Sequence, residues 1–258
     1  MSWSYREFSS KRASWQKHTK GWESHTVPPI KAKLLVNGYI KLLKKLKCFD
    51  GYPNREDIKV LDIGAGAGYI GQAFFENGFS VLCTEHTKEG VSLINRHNPK
   101  INTSLLEISD VKNCIDSTYD LILCRELYPF TRVNCFEEQK QVVENIMSLL
   151  KKGGTLLLIG STISYPHCAD YRLILLTLNK KNEYKYLYSY SEPFISRRYL
   201  MFFGLSFIRF LSYWVMPILS YANIKIYVLH KNLSLIVFCC SICAIHFSPI
   251  KGNSHTNI

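Results

Sequence analysis

The sequence predicts an α/β fold in which helices cover both faces of a mostly parallel sheet. One observation is local: the apolar run 60–63 is followed by three alternating glycines, Gly64, Gly66 and Gly68, and then by a stretch of helical periodicity. This order is typical of a strand, a tight turn and a helix, and the helix is predicted to run from about Ala67 to Glu76. A second observation is that further apolar strands, at 79–84 and 119–124, alternate with helical segments. Such alternation is typical of parallel sheets.

The glycine turn also predicts a binding site. Glycine allows positive φ and lets a ligand lie against the main chain, and the helix that follows offers unpaired N–H groups and partial positive charge. Asp62 lies near the end of the preceding strand and faces the same turn. A carboxylate there disfavours a pyrophosphate and favours a positively charged ligand.

The Asp-x-Gly-x-Gly-x-Gly pattern, with the segments after it, resembles the class I S-adenosylmethionine-dependent methyltransferases. The resemblance covers residues 55–165, with weaker similarity to 231. It implies a Rossmann-like, seven-stranded, mostly parallel sheet and S-adenosylmethionine as the cofactor. It also implies that the turn holds the methionine part of the cofactor and that the acid orients its amino group. The residues concerned are Asp62, Gly64, Ala65, Gly66 and Gly68.

Later landmarks occur in the order that this resemblance requires. Glu85 ends the second strand, where an acid can accept hydrogen bonds from both ribose hydroxyls. Asp110 matches the position that accepts from the adenine amino group, with Glu107 as the alternative. The fourth strand ends at Cys124, which borders the same site, and the turn Lys151-Lys152-Gly153-Gly154 leads into a fifth strand at 155–159.

A nicotinamide dinucleotide site is the rival interpretation of the same turn. The pattern Gly66-x-Gly68-x-x-Gly71, with Glu85 near the expected spacing, satisfies the dinucleotide fingerprint. Two features argue against a dinucleotide site. One is the negative charge of Asp62, and the other is that Gly66, the first glycine of this fingerprint, comes four residues after that acid. A third hypothesis is a non-catalytic, membrane-associated protein that keeps the fold.

The loop 125–132 follows the fourth strand and borders the place where methyl donor and acceptor must meet. Candidate bases for an oxygen or nitrogen acceptor are Glu126, Tyr128 and His167. The loop lacks an Asn/Asp-Pro-Pro-aromatic motif and a Pro-Cys nucleophile, so methylation of DNA bases is disfavoured. We expect a small-molecule or lipid-like acceptor. RNA stays open because both flanks of the acidic middle segment, 60–165, are basic.

The chain divides into four parts. Residues 1–50 are predicted to be an N-terminal docking segment, lying over the cofactor site, and a basic amphipathic helix; residues 51–165 form the cofactor-binding core. Residues 166–231 complete the fold and contain an apolar helical insertion at 199–221, and 232–258 is an apolar tail of unknown role. The insertion is long enough to span a bilayer, alone or paired with 233–247. Its place between two strands favours a cap on the substrate side or a helix in the membrane interface.

Cysteine usage and the N-terminus predict a cytoplasmic protein. The insertion and the basic flanks add membrane association as a second hypothesis. The nine cysteines are scattered, and Cys83 and Cys124 lie in apolar strands as small buried side chains. The Cys240-x-x-Cys243 pair lacks partners at zinc spacing, so no metal site is expected. The polar, basic start of the chain has no apolar run typical of a signal peptide.

Overall fold

A computed structural model describes residues 10–14, 27–108, 118–127, 130, 135–161, 184–192 and 224–231. In this part of the chain, seven strands form one sheet in the order β3-β2-β1-β4-β5-β7-β6. The strands are β1 Lys59–Ile63, β2 Ser80–Glu85, β3 Asn102–Leu105, β4 Tyr119–Arg125, β5 Leu150–Ser161, β6 Tyr184–Glu192 and β7 Ile224–Lys231. β1 to β5 are parallel, and β7 lies antiparallel between β5 and β6. The predicted mostly parallel sheet is confirmed.

Four helices from the described ranges pack around this sheet: α1 Pro29–Lys45, α2 Tyr69–Glu76, α3 Lys88–His97 and α4 Phe136–Ser148. Residues 10–14 are also helical, and a 3₁₀ turn spans Arg55–Asp57. Pro29 stands in the first turn of α1, where its fixed φ suits a helix start. The Thr87 side chain caps α3 by accepting a hydrogen bond from the Gly90 N–H at 3.0 Å.

The two faces of β1 lie in different hydrophobic cores because successive side chains of a strand alternate. Val60 packs in one core with residues of α1 and α2. Leu61 and Ile63 pack in the other, with residues of α4. Helices on both faces of the sheet are therefore confirmed, and Asp62 faces the side of α2.

The segment Lys151–Gly154 corrects one prediction, because it belongs to β5 and is not a turn before it. The ladder between β4 and β5 changes register between Tyr119 and Leu121, and Gly153 has φ 77°. A Cβ on Gly154 would lie 3.1 Å from the carbonyl oxygen of Asp120. The two glycines thus allow an irregular strand to stay close to β4 at the residues for which the sequence predicted a turn.

The predicted insertion at 199–221 and the tail at 232–258 lie outside the described residues. Within the described ranges, no helix combines the length and apolarity that crossing a bilayer requires.

Candidate functional site

The candidate site lies where the order of the parallel strands reverses. β1 is followed along the chain by β2 on one side, while β4 pairs on its other side. Ile63, the last residue of β1, stands opposite Thr84 on β2 and Cys124 on β4. Ligands of open α/β sheets bind outside the carboxyl ends of the strands at such a switch point. The glycine turn 64–68 occupies this place.

Gly64 and Gly68 cannot be replaced by larger residues for two reasons, their positive φ and the lack of space for a Cβ. Gly64, Gly66 and Gly68 have φ of 70°, 66° and 77°, which is the left-handed region that favours glycine. A Cβ on Gly64 would also lie 2.9 Å from Leu127 Cδ1, and one on Gly68 would lie 2.8 Å from Ile94 Cγ2. Close packing from both sides therefore holds the main chain of the turn in place.

Asp62 lies beneath α2 and is 2% exposed. The Gly71 N–H of α2 donates to its carboxylate, yet Oδ2 accepts no hydrogen bond from any group in the described part of the chain. Burial and the negative charge of Glu85 raise the pKa of Asp62 to about 7, against the hydrogen bond from Gly71 and the positive charge of Arg125. A buried carboxylate oxygen with an unused acceptor position suits a cationic or N–H-bearing ligand.

Glu85 is fully buried but charged at neutral pH. Its Oε1 accepts from the Gly66 N–H at 2.8 Å, and its carboxylate forms an ion pair with Arg12. The His86 main-chain N–H lies 3.3 Å from Oε2, and His86 Nδ1 lies 3.2 Å from it. Burial alone would raise the pKa of Glu85, but the charge of Arg12 and the hydrogen bonds from His86 and Arg12 lower it to about 2.

The segment after β4 contributes a strained residue beside the turn. Glu126 has φ 52°, a left-handed conformation that costs a non-glycine residue about 1–3 kcal/mol. Its main-chain N–H donates to the Ile159 carbonyl of β5 at 2.8 Å, which holds this conformation. The next residue, Leu127, packs against Gly64. Such strain is concentrated at functional sites, and Glu126 is one of the predicted bases.

The structure brings most of the predicted cofactor residues together at this edge of the sheet. They are Asp62, Gly64, Ala65, Gly66, Gly68, Glu85 and Cys124. Cys124 belongs to this edge through its main chain only. Its side chain is fully buried in the core beneath α4, and this burial raises the pKa of the thiol. Asp110, Tyr128 and His167 lie outside the described residues. No cluster of metal-ligating side chains occurs in the described ranges.

Two arginines of the site were not predicted as functional residues. Arg12 contacts Glu85 from 73 positions away in the sequence, and only the expectation that the N-terminal segment covers the site pointed to this contact. Arg125 ends β4, and its charge acts on Asp62. Its place in the predicted loop 125–132 was the sequence signal for this residue.

The strand order, the reversed seventh strand and the acids around the glycine turn define an α/β protein of the S-adenosylmethionine-binding type. A family model described as "Methyltransferase domain" matches residues 54–191. Because this match covers more than half of the chain, the protein belongs to that family.

Curated relatives and solved structures agree with this assignment. The ubiquinone biosynthesis O-methyltransferase of Rickettsia typhi is 25% identical over 127 residues, which are 48% of this chain and 47% of the relative. The chain thus spans about half the length of the curated relatives it matches. Magnesium protoporphyrin IX methyltransferase of Synechocystis, solved with S-adenosylhomocysteine, has a TM-score of 0.56 at 11% identity and covers 86% of this chain and 98% of its own. The plantazolicin methyltransferase BpumL has a TM-score of 0.54 at 16% identity, with 88% and 98% covered. At these identities the structures show the fold alone.

Proposed function

We propose that this chain is an S-adenosylmethionine-dependent methyltransferase that methylates an oxygen or nitrogen of a small molecule. The observation that carries the proposal is the pair of buried acids, Asp62 and Glu85, on either side of a left-handed glycine turn at the switch point of the sheet. Family membership gives the reaction type.

The residues of the turn fit this cofactor. Asp62 Oδ2 is buried and offers its unused acceptor position to the ammonium of the methionine part. Glu85 is the acceptor for the ribose hydroxyls, and Asp110 remains the predicted acceptor for the adenine amino group. Left-handed φ angles at Gly64, Gly66 and Gly68 let the main chain turn sharply at the place where the cofactor is proposed to lie.

When bound, S-adenosylmethionine supplies a methyl group on a sulfonium, with a neutral thioether as the leaving group. The protein then needs to orient the acceptor and exclude water. Glu126 is the candidate in the described segment after β4 for removing the acceptor's proton, since it lies two residues after Cys124 at the carboxyl edge of the sheet.

The acceptor class is proposed from the relatives. Those that match in sequence are named for O-methylation in ubiquinone biosynthesis, which supports a small-molecule acceptor bearing a hydroxyl group. The expectation of a lipid-like acceptor or a membrane surface depended on residues 199–221 and the basic flanks, so it stays a prediction.

The test is calorimetric titration of the purified protein with S-adenosylmethionine, S-adenosylhomocysteine and NADH. We expect micromolar binding of the first two ligands, lost in Asp62→Ala. Asp57→Ala is the matched control, because Asp57 is an exposed acid just before the opposite end of β1. Binding of NADH alone would favour the dinucleotide interpretation. A folded protein that binds none of the three would favour a non-catalytic member of the fold. A positive result leads to a screen of phenolic and amine acceptors with labelled cofactor.

A further inference from the structure

Arg12 occupies the same acid that the proposed function assigns to the ribose. Its Nη2 contacts Glu85 Oε1, and its Nε lies 3.4 Å from Oε2. The guanidinium therefore places one N–H on each carboxylate oxygen, as a two-pronged donor. A ribose diol bound to Glu85 would present the same pattern, with one O–H for each oxygen. Both groups use the same two acceptor atoms.

The acceptor capacity of Glu85 is used up while Arg12 is in place. A carboxylate has about four lone-pair positions. Besides the two contacts from Arg12, Oε1 accepts from the Gly66 N–H, and Oε2 lies within 3.3 Å of the His86 main-chain nitrogen and within 3.2 Å of its Nδ1. The main-chain contacts from Gly66 and His86 belong to the turn and to the end of β2, so they are fixed by the fold and leave two acceptor positions for Arg12 or for a diol. Arg12 is the donor that comes from a distant segment.

We propose that Arg12 is a built-in competitor for the ribose subsite. The ion pair between Arg12 and Glu85 and the binding of the cofactor ribose exclude each other, so Arg12 must leave the carboxylate when the cofactor binds. This inference rests on the proposed function, because it takes Glu85 as the ribose acceptor. Under this proposal, the Arg12 side chain lowers the affinity for the cofactor, whereas packing of the helical segment 10–14 alone would not.

Charge balance explains why a cation lies there. Glu85 is fully buried and ionised, and the Arg12 side chain is only 17% exposed. A buried carboxylate without a cation is strongly disfavoured, so Arg12 stabilises the protein in the absence of cofactor. The same contact has to be broken for binding, and linkage then requires that it weakens cofactor affinity.

The test compares Arg12→Gln with Lys11→Gln by titration with S-adenosylhomocysteine. Lys11→Gln is a matched control, because it removes the same charge from the neighbouring position, where the side chain is exposed. We expect Arg12→Gln to bind about tenfold more tightly, since a charge-assisted contact no longer has to be broken, and Lys11→Gln to bind like the wild type. Arg12→Lys keeps the charge without the two-pronged geometry and should fall between the wild type and Arg12→Gln. Circular dichroism confirms that each variant is folded at the titration temperature.

Adenosine and 2′,3′-dideoxyadenosine separate competition for the diol from a general effect of charge. Arg12→Gln should gain affinity for adenosine and gain none for the dideoxy compound, which lacks both the 2′- and the 3′-hydroxyl that would compete with the guanidinium. Equal or weaker binding of S-adenosylhomocysteine by Arg12→Gln would overturn the inference and leave the proposed function standing. An equal gain for both nucleosides would also overturn it. Failure of the wild type and every variant to bind S-adenosylhomocysteine would overturn the proposed function together with it.

Discussion

Replacing Asp62 with Asn tests the electrostatics of the site most directly. The pKa of Asp62 is raised from 3.8 to about 7 by burial and by the charge of Glu85. A carboxyl whose pKa is raised on folding stabilises the protein in its protonated form below the unfolded pKa, and this stability is lost as the pH rises through 7. Asn is neutral at every pH and nearly the same shape as the protonated acid. We therefore expect Asp62→Asn to abolish this part of the pH dependence of stability.

The size of the effect follows from the shift. A difference of about three pKa units corresponds to about 4 kcal/mol as an upper limit, at 1.36 kcal/mol per unit. Asp62→Asn should match the wild type near pH 4 and exceed it in free energy of unfolding by up to about 4 kcal/mol near pH 8. The measurement is urea unfolding of both proteins at several pH values between 4 and 8, with the exposed Asp57→Asn as the control.

Cofactor binding should depend on pH in the opposite direction, because an ammonium ligand requires the ionised form of Asp62. With a pKa of about 7, about one tenth of Asp62 is ionised at pH 6 and about nine tenths at pH 8. The wild type should bind S-adenosylhomocysteine about tenfold more tightly at pH 8 than at pH 6 through Asp62. Asp62→Asn should bind weakly and lack this contribution.

Calorimetry in two buffers of different ionisation enthalpy measures the proton released on binding. The difference between wild type and Asp62→Asn isolates the proton of Asp62 from that of the ligand's own amino group. The reasoning is refuted if the two proteins show parallel stability curves from pH 5 to 8, or if they release the same number of protons on binding.

Three further substitutions test the packing and strain around the site. Gly71→Ala places a Cβ 2.1 Å from Cys83 Sγ, so we expect a loss of about 2–4 kcal/mol in urea unfolding; failure of an added Cys83→Ala to restore part of it would contradict this cause. Asp120→Asn weakens the contact with Lys151 Nζ at 2.8 Å and should lower unfolding free energy by about 1–3 kcal/mol, whereas an unchanged denaturation midpoint would argue against it. Glu126→Gly relieves the positive φ and should leave stability equal or higher while methyl transfer falls; full activity would remove Glu126 from the candidate bases.

Local sequence signals predicted the strand, turn and helix at the centre of the fold to within one or two residues. β1 begins at Lys59 where the apolar pattern suggested Val60, and α2 begins at Tyr69 rather than near Ala67. The later helix start has a physical cause: Gly68 adopts φ 77° as the residue before the helix, so the helical conformation cannot include it. These features depend on neighbours in sequence, which is why periodicity and glycine spacing reveal them.

Features that depend on distant partners could not be predicted in the same way. The strand at Lys151–Gly154 was wrongly predicted as a turn because its partner Asp120 lies about thirty residues earlier, where it accepts from Lys151 Nζ. The conformation of Glu126 depends on its bond to Ile159 of the neighbouring strand. The contact between Arg12 and Glu85 joins segments with no shared periodicity. In each case the three-dimensional partner decides the local structure.

The two acids of the turn differ in pKa, and Arg12 pairs with only one of them. Glu85 has a pKa of about 2 with Arg12 beside it, and its charge contributes to the raised pKa of Asp62. S-adenosylmethionine brings its ammonium to Asp62 and neutral hydroxyls to Glu85 under the proposed function. Binding therefore exchanges the guanidinium on Glu85 for an ammonium on Asp62. A cation thus contacts one of the two buried acids both before and after binding, in addition to the charge of Arg125 that acts on Asp62.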